Sequence, residues 1–224
     1  MEKRIIKRNV ALVEKCVMSS IGIKSLFNSD PECLYQLHLF SNQSEFKTAM
    51  VNIPFSAVIF SLSAIREDRR VGLACLTELA IDFPRMRQLV IADDDNEARL
   101  IGSLSPSQLD GVLSKSSSLS GLQEQLFLAL NGVRRVTENS SNLWYTSQSR
   151  MISPTEREIL RFMSHGYSMI QIAVQLERNI KTIRAHKFNV MSKLGVSSDA
   201  GLLDAADILL SLRAVDPRST LHTA

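Results

Sequence analysis

The sequence predicts two folding units, an α/β doubly wound domain of five βα repeats and then a small all-α domain of four helices. Three observations carry this. Short apolar runs alternate with helix-period stretches through residue 136, a polar stretch then breaks the rhythm, and from Ser153 onward every pattern is helical. A chain of 224 residues, 45% of them hydrophobic, is long enough to bury two small cores.

The strands are predicted at 10–13 (VALV), 37–40 (LHLF), 57–60 (AVIF), 89–92 (LVIA) and 111–113 (GVL). Each is a continuous apolar run rather than an alternating one, which suits parallel strands covered on both faces. Helices are predicted at 19–27, 44–50, 72–83, 97–104 and 120–136, closing a domain over 1–136. Leu122, Leu126 and Leu130 recur at i+4 spacing and are expected to be core, with Phe127 and its apolar neighbours as candidates for contact with a partner. The run Asp93, Asp94, Asp95 reads as a solvated loop capping the next helix. Adjacent side chains diverge too much for a cation site, and no fourth ligand is evident.

Residues 137–150 are polar and lack apolar periodicity, which marks a linker; Trp144 and Tyr145 within it are expected to pack on a neighbouring domain. The helical domain is placed at 151–213 and a tail at 214–224. It opens with Ser153, Pro154, Thr155 and Glu156, a capping box with proline at the first helical position. Gly166 stops this helix, and Ser168 caps a short second one with Ile172, Ala173 and Leu176 on its apolar side. A tight turn at 177–180 leads into the third helix, 181–194, which Gly195 ends. Ser198 or Asp199 caps a fourth helix reaching Leu212.

The third helix, KTIRAHKFNVMSKL, has four Lys/Arg and no acid, in a chain whose balance is only +3. The total charge, with a pI near 8.8, does not announce a nucleic-acid ligand; this local concentration does. On a helical wheel Ile183, Val190, Met191 and Leu194 gather on one side, suited to burial, with His186 and Lys187 bordering it. Lys181, Arg184, Ala185 and Phe188 gather on another. Two helices joined by a four-residue turn, the second cationic, fit helix-turn-helix geometry and a DNA major groove. Arg184 then reads guanine in bidentate fashion, Ala185 allows close approach to a thymine methyl, and Phe188 adds apolar base contact. Thr182, Lys187 and Lys193 are placed at phosphates, which orient the domain without reading sequence.

Other chemistries are poorly supported. Cys16, Cys33 and Cys75 are widely spaced, so buried free thiols in a reducing cytoplasm are expected rather than zinc or disulfides. No glycine-rich phosphate loop, nucleophile elbow or paired metal histidines occur. His38, His165, His186 and His222 are scattered. No enzyme activity, metal or cofactor is expected. The basic start is followed by an apolar run that Glu14 and Lys15 break, too short for a signal peptide core of roughly 7–15 residues. Nor do about 18 apolar residues run together, so no membrane span is expected.

The segment from Ile152, Ser153, Pro154, Thr155 and Glu156 through Gly166, Gln171, Ile172, Ala173, Thr182, Ile183, Arg184, His186 and Lys193, Leu194, Gly195, Val196 resembles the LuxR-type helix-turn-helix. That resemblance implies a four-helix DNA-binding domain of a transcription regulator, working in the cytoplasm and on the nucleoid when bound. It places Arg184, Ala185 and Phe188 at the bases. Phe188 departs from the basic residue common in the family. Beside such a domain, the five βα repeats resemble the receiver domain of response regulators. That family holds Mg²⁺ with two acids after the first strand and accepts phosphate on an aspartate ending the third. A Thr/Ser after the fourth strand and a Lys after the fifth complete the site. The matching positions here are Glu14, Lys15, Ser61, Ala92 and Lys115, so only the lysine is kept unchanged and Glu14 is the mildest alteration. No aspartyl phosphorylation is expected.

Over its full length the chain is similar to atypical response-regulator-like activators of enteric bacteria. That similarity implies a sequence-specific activator acting as a phosphorylation-independent heterodimer with an RcsB-type response regulator, with self-pairing as the variant. Two other readings stand beside it. One is an interaction module that titrates a response regulator without touching DNA. The other is a phospho-switch or enzyme using Ser61 or the acidic run.

Overall fold

The computed structural model describes residues 7–29, 33–63, 65–104, 109–132 and 152–211. The linker with Trp144 and Tyr145, the tail with His222, the fourth helix's end at Leu212 and residues 133–136 of the predicted fifth helix lie outside the described residues. Contacts divide the chain into two compact units, residues 1–99 with 107–136 and residues 137–224 with 100–106.

The first unit follows a strict βα alternation: β1 (Arg8–Val13), α1 (Val17–Asn28), β2 (Tyr35–Phe40), α2 (Gln43–Met50), β3 (Phe55–Ser61), α3 (Arg66–Asp82), β4 (Arg87–Ala92), α4 (Asp95–Leu104), β5 (Gly111–Ser114) and α5 (Leu119–Leu130). The sheet order is β2-β1-β3-β4-β5, with every pairing parallel. This is the doubly wound arrangement that the apolar runs predict. Val10, Ala11, Leu12, Val58, Ile59, Leu89, Val90 and Ile91 are wholly buried, as strands covered on both faces require. Strand order reverses between β1 and β3, and because all strands are parallel the C-terminal ends of β1, β3, β4 and β5 lie along one edge of the sheet. Register sets Val13 beside Phe60, Ser61 beside Ile91 and Ala92 beside Ser114, which brings the receiver-type positions together there.

Aromatic packing holds α2 to the sheet. Phe46 is fully buried, with its ring centroid 5.6 Å from those of Phe40 and Phe55 and 6.2 Å from that of Phe60. On the α1 and α5 side, Leu122, Leu126 and Leu130 are buried as the i+4 stripe predicts. Phe127 is half-buried, with its ring 5.4 Å from Phe27, so part of it packs on this core. The buried Tyr35 hydroxyl lies 2.9 Å from the Leu130 carbonyl and 2.7 Å from the Asn131 side-chain oxygen, tying the end of α5 to β2.

Three expectations need correction. Helix α3 begins at Arg66, well before residue 72, because its first turn is charged and shows no apolar period; Glu67 and Asp68 suit a helix start. Helix α5 ends at Leu130, where Asn131 caps it and Gly132 takes φ +78°, a left-handed geometry that stops the helix. Cys33 and Cys75 are buried free thiols, but Cys16 is exposed because it occupies the N-cap position of α1.

The second unit contains α6 (Pro154–Ser164), α7 (Met169–Gln175), α8 (Ile180–Leu194) and α9 (Asp199–Ser211), the four helices expected. Its core gathers Ile159, Leu160, Ile172, Ile183, Val190, Leu202, Ala205 and Ile208. Among the described residues no helix is long and apolar enough to cross a membrane. For the first unit, Phe46→Ala is expected to cost about 3–5 kcal/mol by removing the ring from its aromatic cluster. A urea titration checks this, and a cost below about 1 kcal/mol would show that the cluster refills the space.

Candidate nucleic-acid interface

Each end of the second unit's helices is set by a local signal. Ser153 Oγ accepts from the Glu156 amide at 3.2 Å, and the Glu156 carboxylate accepts from the Ser153 amide at 2.8 Å, a complete capping box for α6. Ser168 and Gln171 repeat the device at α7. The turn between α7 and α8 contains Glu177 at φ +51°, and the Arg178 amide donates back to the Ala173 carbonyl at 2.9 Å. Asn179 caps α8 by accepting from the Lys181 amide at 2.8 Å, and Gly195 ends it in the left-handed conformation.

Helix α8 is two-sided. Ile183, Val190 and Leu194 are buried, while Met191, His186 and Lys187 are half-buried at the border. Lys181, Thr182, Arg184, Ala185 and Phe188 are exposed, Phe188 by 72%. The side chains singled out for bases thus share one open face, braced by a buried underside. A chain segment of this shape offers cations for phosphates and a planar donor for a base edge.

Two lysines assigned to phosphates have protein partners. Lys193 Nζ donates to both oxygens of Glu156, at 2.7 and 2.9 Å. Burial pushes the Glu156 carboxyl up, but the hydrogen bonds and charge of Lys193 and the Ser153 amide outweigh it, leaving the pKa below the ordinary 4.5. Lys193 therefore fastens the end of α8 to the start of α6. Lys187 meets Asp199, at the start of α9, at 2.6 Å. Sequence reasoning missed both acids as parts of this site. Glu156 lies 37 residues from Lys193 and Asp199 lies 12 from Lys187, separations with no local signal.

In the first unit the receiver-type positions meet at the ends of the parallel strands. Lys115 forms ion pairs with Glu14 at 3.3 Å and with Asp93 at 2.9 Å. Burial would lower the lysine's pKa; the Asp93 hydrogen bond and the Glu14 charge more than offset this, so it is raised. Lys15 turns to Asp68 at 2.7 Å. Ala92 is fully buried and has no hydroxyl, and Ser61 Oγ is buried without a hydrogen-bond partner among the described residues. These residues do not fit a divalent ion: Glu14 already holds an ammonium, and Lys15 is a cation. Among the described residues no cluster of three or more potential metal ligands occurs. The acidic run serves the fold, as its spacing suggested. Asp94 accepts from the Glu97 amide at 2.7 Å, Glu97 accepts from the Asp93 amide at 2.8 Å, and Asp95 accepts from the Ser116 hydroxyl at 2.8 Å.

Comparison with known proteins agrees with this geometry. Residues 150–206 match the model of bacterial regulatory proteins of the luxR family. The chain is 69% identical over 219 residues to the transcriptional activator protein BglJ of Escherichia coli K12, covering 98% of this chain and 97% of that one. It is 27% identical over 169 residues to the transcriptional regulatory protein RcsB of the same organism, covering 71% and 78%. Among solved structures, two RcsB dimers bound to two parallel DNAs align with a TM-score of 0.71 at 22% identity, covering 92% of this chain and 99% of that one. An RcsB–DNA complex aligns at 0.67 and 23%, with the same coverage. At these identities the structural matches establish the shared fold.

Replacing Lys193 with Ala strands a nearly buried carboxylate, so the second unit should lose about 1–3 kcal/mol at neutral pH. Because the pKa of Glu156 is lowered in the folded state, its contribution is present above the ordinary carboxylate value and fades as pH falls through the folded one. The wild-type and Lys193→Ala curves of stability against pH should therefore converge in acid. Parallel curves down to the lowest folded pH would show that the pair contributes nothing.

Proposed function

The chain belongs to the family of BglJ-type transcriptional activators, regulators with a luxR-type DNA-binding domain, and from that premise we propose that it reads a specific operator through α8. The observation that carries this is the open face of α8. Arg184, Ala185 and Phe188 stand exposed with Lys181 while Ile183, Val190 and Leu194 anchor the opposite side. Arg184 pairs with guanine through two parallel hydrogen bonds. Ala185 admits close approach, Phe188 lies on apolar base edges, Lys181 faces the bases with them, and Thr182 meets a phosphate.

The chain works as a dimer, and the partner is an RcsB-type response regulator. Similarity to RcsB supports this, since a related fold supplies a matching second recognition helix. Two such helices reach successive major grooves about 34 Å apart. One module's contacts are seldom enough for tight specific binding, and a tethered second module raises effective concentration. The first unit then serves assembly without a phosphoryl switch, because Ser61 and Ala92 stand where an acidic acceptor and a hydroxyl are needed and Lys15 puts a cation at a metal-ligand position. Its place of work is the cytoplasm, on nucleoid DNA.

A gel shift with operator DNA, using this protein alone and mixed with an RcsB-type regulator, tests the reading. Arg184→Ala should weaken operator binding by about 1–3 kcal/mol and relax base preference. Equal losses on operator and random DNA would assign Arg184 to phosphates. Loss of the RcsB-type regulator's own shift on adding this chain, whichever α8 variant is used, would favour the titrating module instead.

Incubation of the purified chain with a small phosphodonor and Mg²⁺ is expected to leave its mass unchanged. A gain of one phosphoryl group would overturn the phosphorylation-independent part of the proposal.

A further inference from the structure

The ion pair between Lys187 and Asp199 joins the cationic helix to the start of α9. Both carboxylate oxygens face the ammonium, at 2.6 and 2.7 Å. The acid is 68% exposed along its side chain and the lysine 19%. Lys187 lies three residues beyond Arg184 and next to Phe188, at the border of the open face. Asp199 is not needed to cap α9. Ser198 does that, its Oγ accepting from the Gly201 amide at 3.1 Å and its carbonyl from the Leu202 amide at 3.0 Å. An exposed acid beside a DNA-facing helix works against phosphate binding unless its charge has a use.

We propose that Asp199 is an internal counter-anion that holds Lys187 until a DNA phosphate displaces it, and so restrains sequence-independent binding. This rests on the reading that α8 binds DNA. A free lysine that neutralises a phosphate releases a condensed cation, contributing about 0.9 to the salt slope. Lys187 starts out neutralised. When it moves to a phosphate, one cation leaves the duplex as it would for a free lysine. The ion pair must first be broken, and the bared carboxylate is left beside the DNA's negative charge, so the offset falls on affinity. An exposed pair is weak, about 0–1 kcal/mol, so a well-placed phosphate competes with it. Contacts by Arg184 to base edges carry no such offset. The acid therefore lowers affinity for all DNA through the phosphate contribution and leaves the base contacts of Arg184 intact.

The test uses the full chain and a short random-sequence DNA duplex, with binding followed by fluorescence anisotropy across a salt series. Four proteins are compared: wild type, Asp199→Asn, Lys187→Ala and the double variant. Asp199→Asn should bind roughly three- to fivefold tighter at low salt, the scale of a weak exposed pair. In the Lys187→Ala background the same asparagine should bring a clearly smaller gain. Wild-type affinity in Asp199→Asn, with only a lower melting temperature, would make the pair a strut and overturn the proposal. An equal gain with and without Lys187 would reduce Asp199 to general repulsion and overturn it too. If the wild-type chain shows no salt-dependent binding, the DNA reading itself fails, and the counter-anion role with it.

Discussion

Glu156 has 4% of its side chain exposed, and two groups converge on its carboxylate. The Ser153 amide meets its carboxylate at the start of α6, and the Lys193 ammonium meets it from the end of α8. A buried carboxylate is tolerable only with such partners, because water is no longer there to solvate it. The consequence is geometric. The helix that presents Arg184 and Ala185 is fastened at its far end by an ion pair and at its near end by the Asn179 cap. Its buried stripe fixes its rotation. With both ends and the rotation set, the open face is oriented before any ligand arrives, so little ordering is left for binding to supply.

The first unit uses the same chemistry to a different end. A receiver-type site holds a divalent ion beside its lysine. Here the kept lysine, Lys115, bridges the ends of β1 and β4 through Glu14 and Asp93, and Lys15 puts a second cation where a metal ligand would stand. Ser61 stands where an acidic acceptor would be, with no base beside it to activate the hydroxyl. Arg69 of α3 and Glu97 of α4 add a further pair at 3.6 Å.

Much of the fold was legible in the residues. All five strands fell inside the predicted apolar runs or extended them by a few positions, because a strand buried on both faces shows itself as an unbroken run. The capping residues Ser153, Ser168 and Gly195 set helix ends through bonds to neighbours a few positions away, which is why they can be read locally. The start of α3 was not legible, because its charged first turn carries no periodicity. The packing of Phe127 was equally hidden, since a half-apolar helix does not say which side meets Phe27.

By itself the sequence determined the order of elements, the two-sidedness of α8 and the loss of acidic chemistry at the receiver-type positions. These depend on residue type and short spacing alone. Only the tertiary structure decided what each charge does. Lys187 and Lys193 look alike in a basic helix, yet one meets an exposed acid on α9 and the other a buried acid on α6. Charge is a property of a residue, whereas its electrostatic role depends on what lies within a few ångströms, and folding alone brings those partners together.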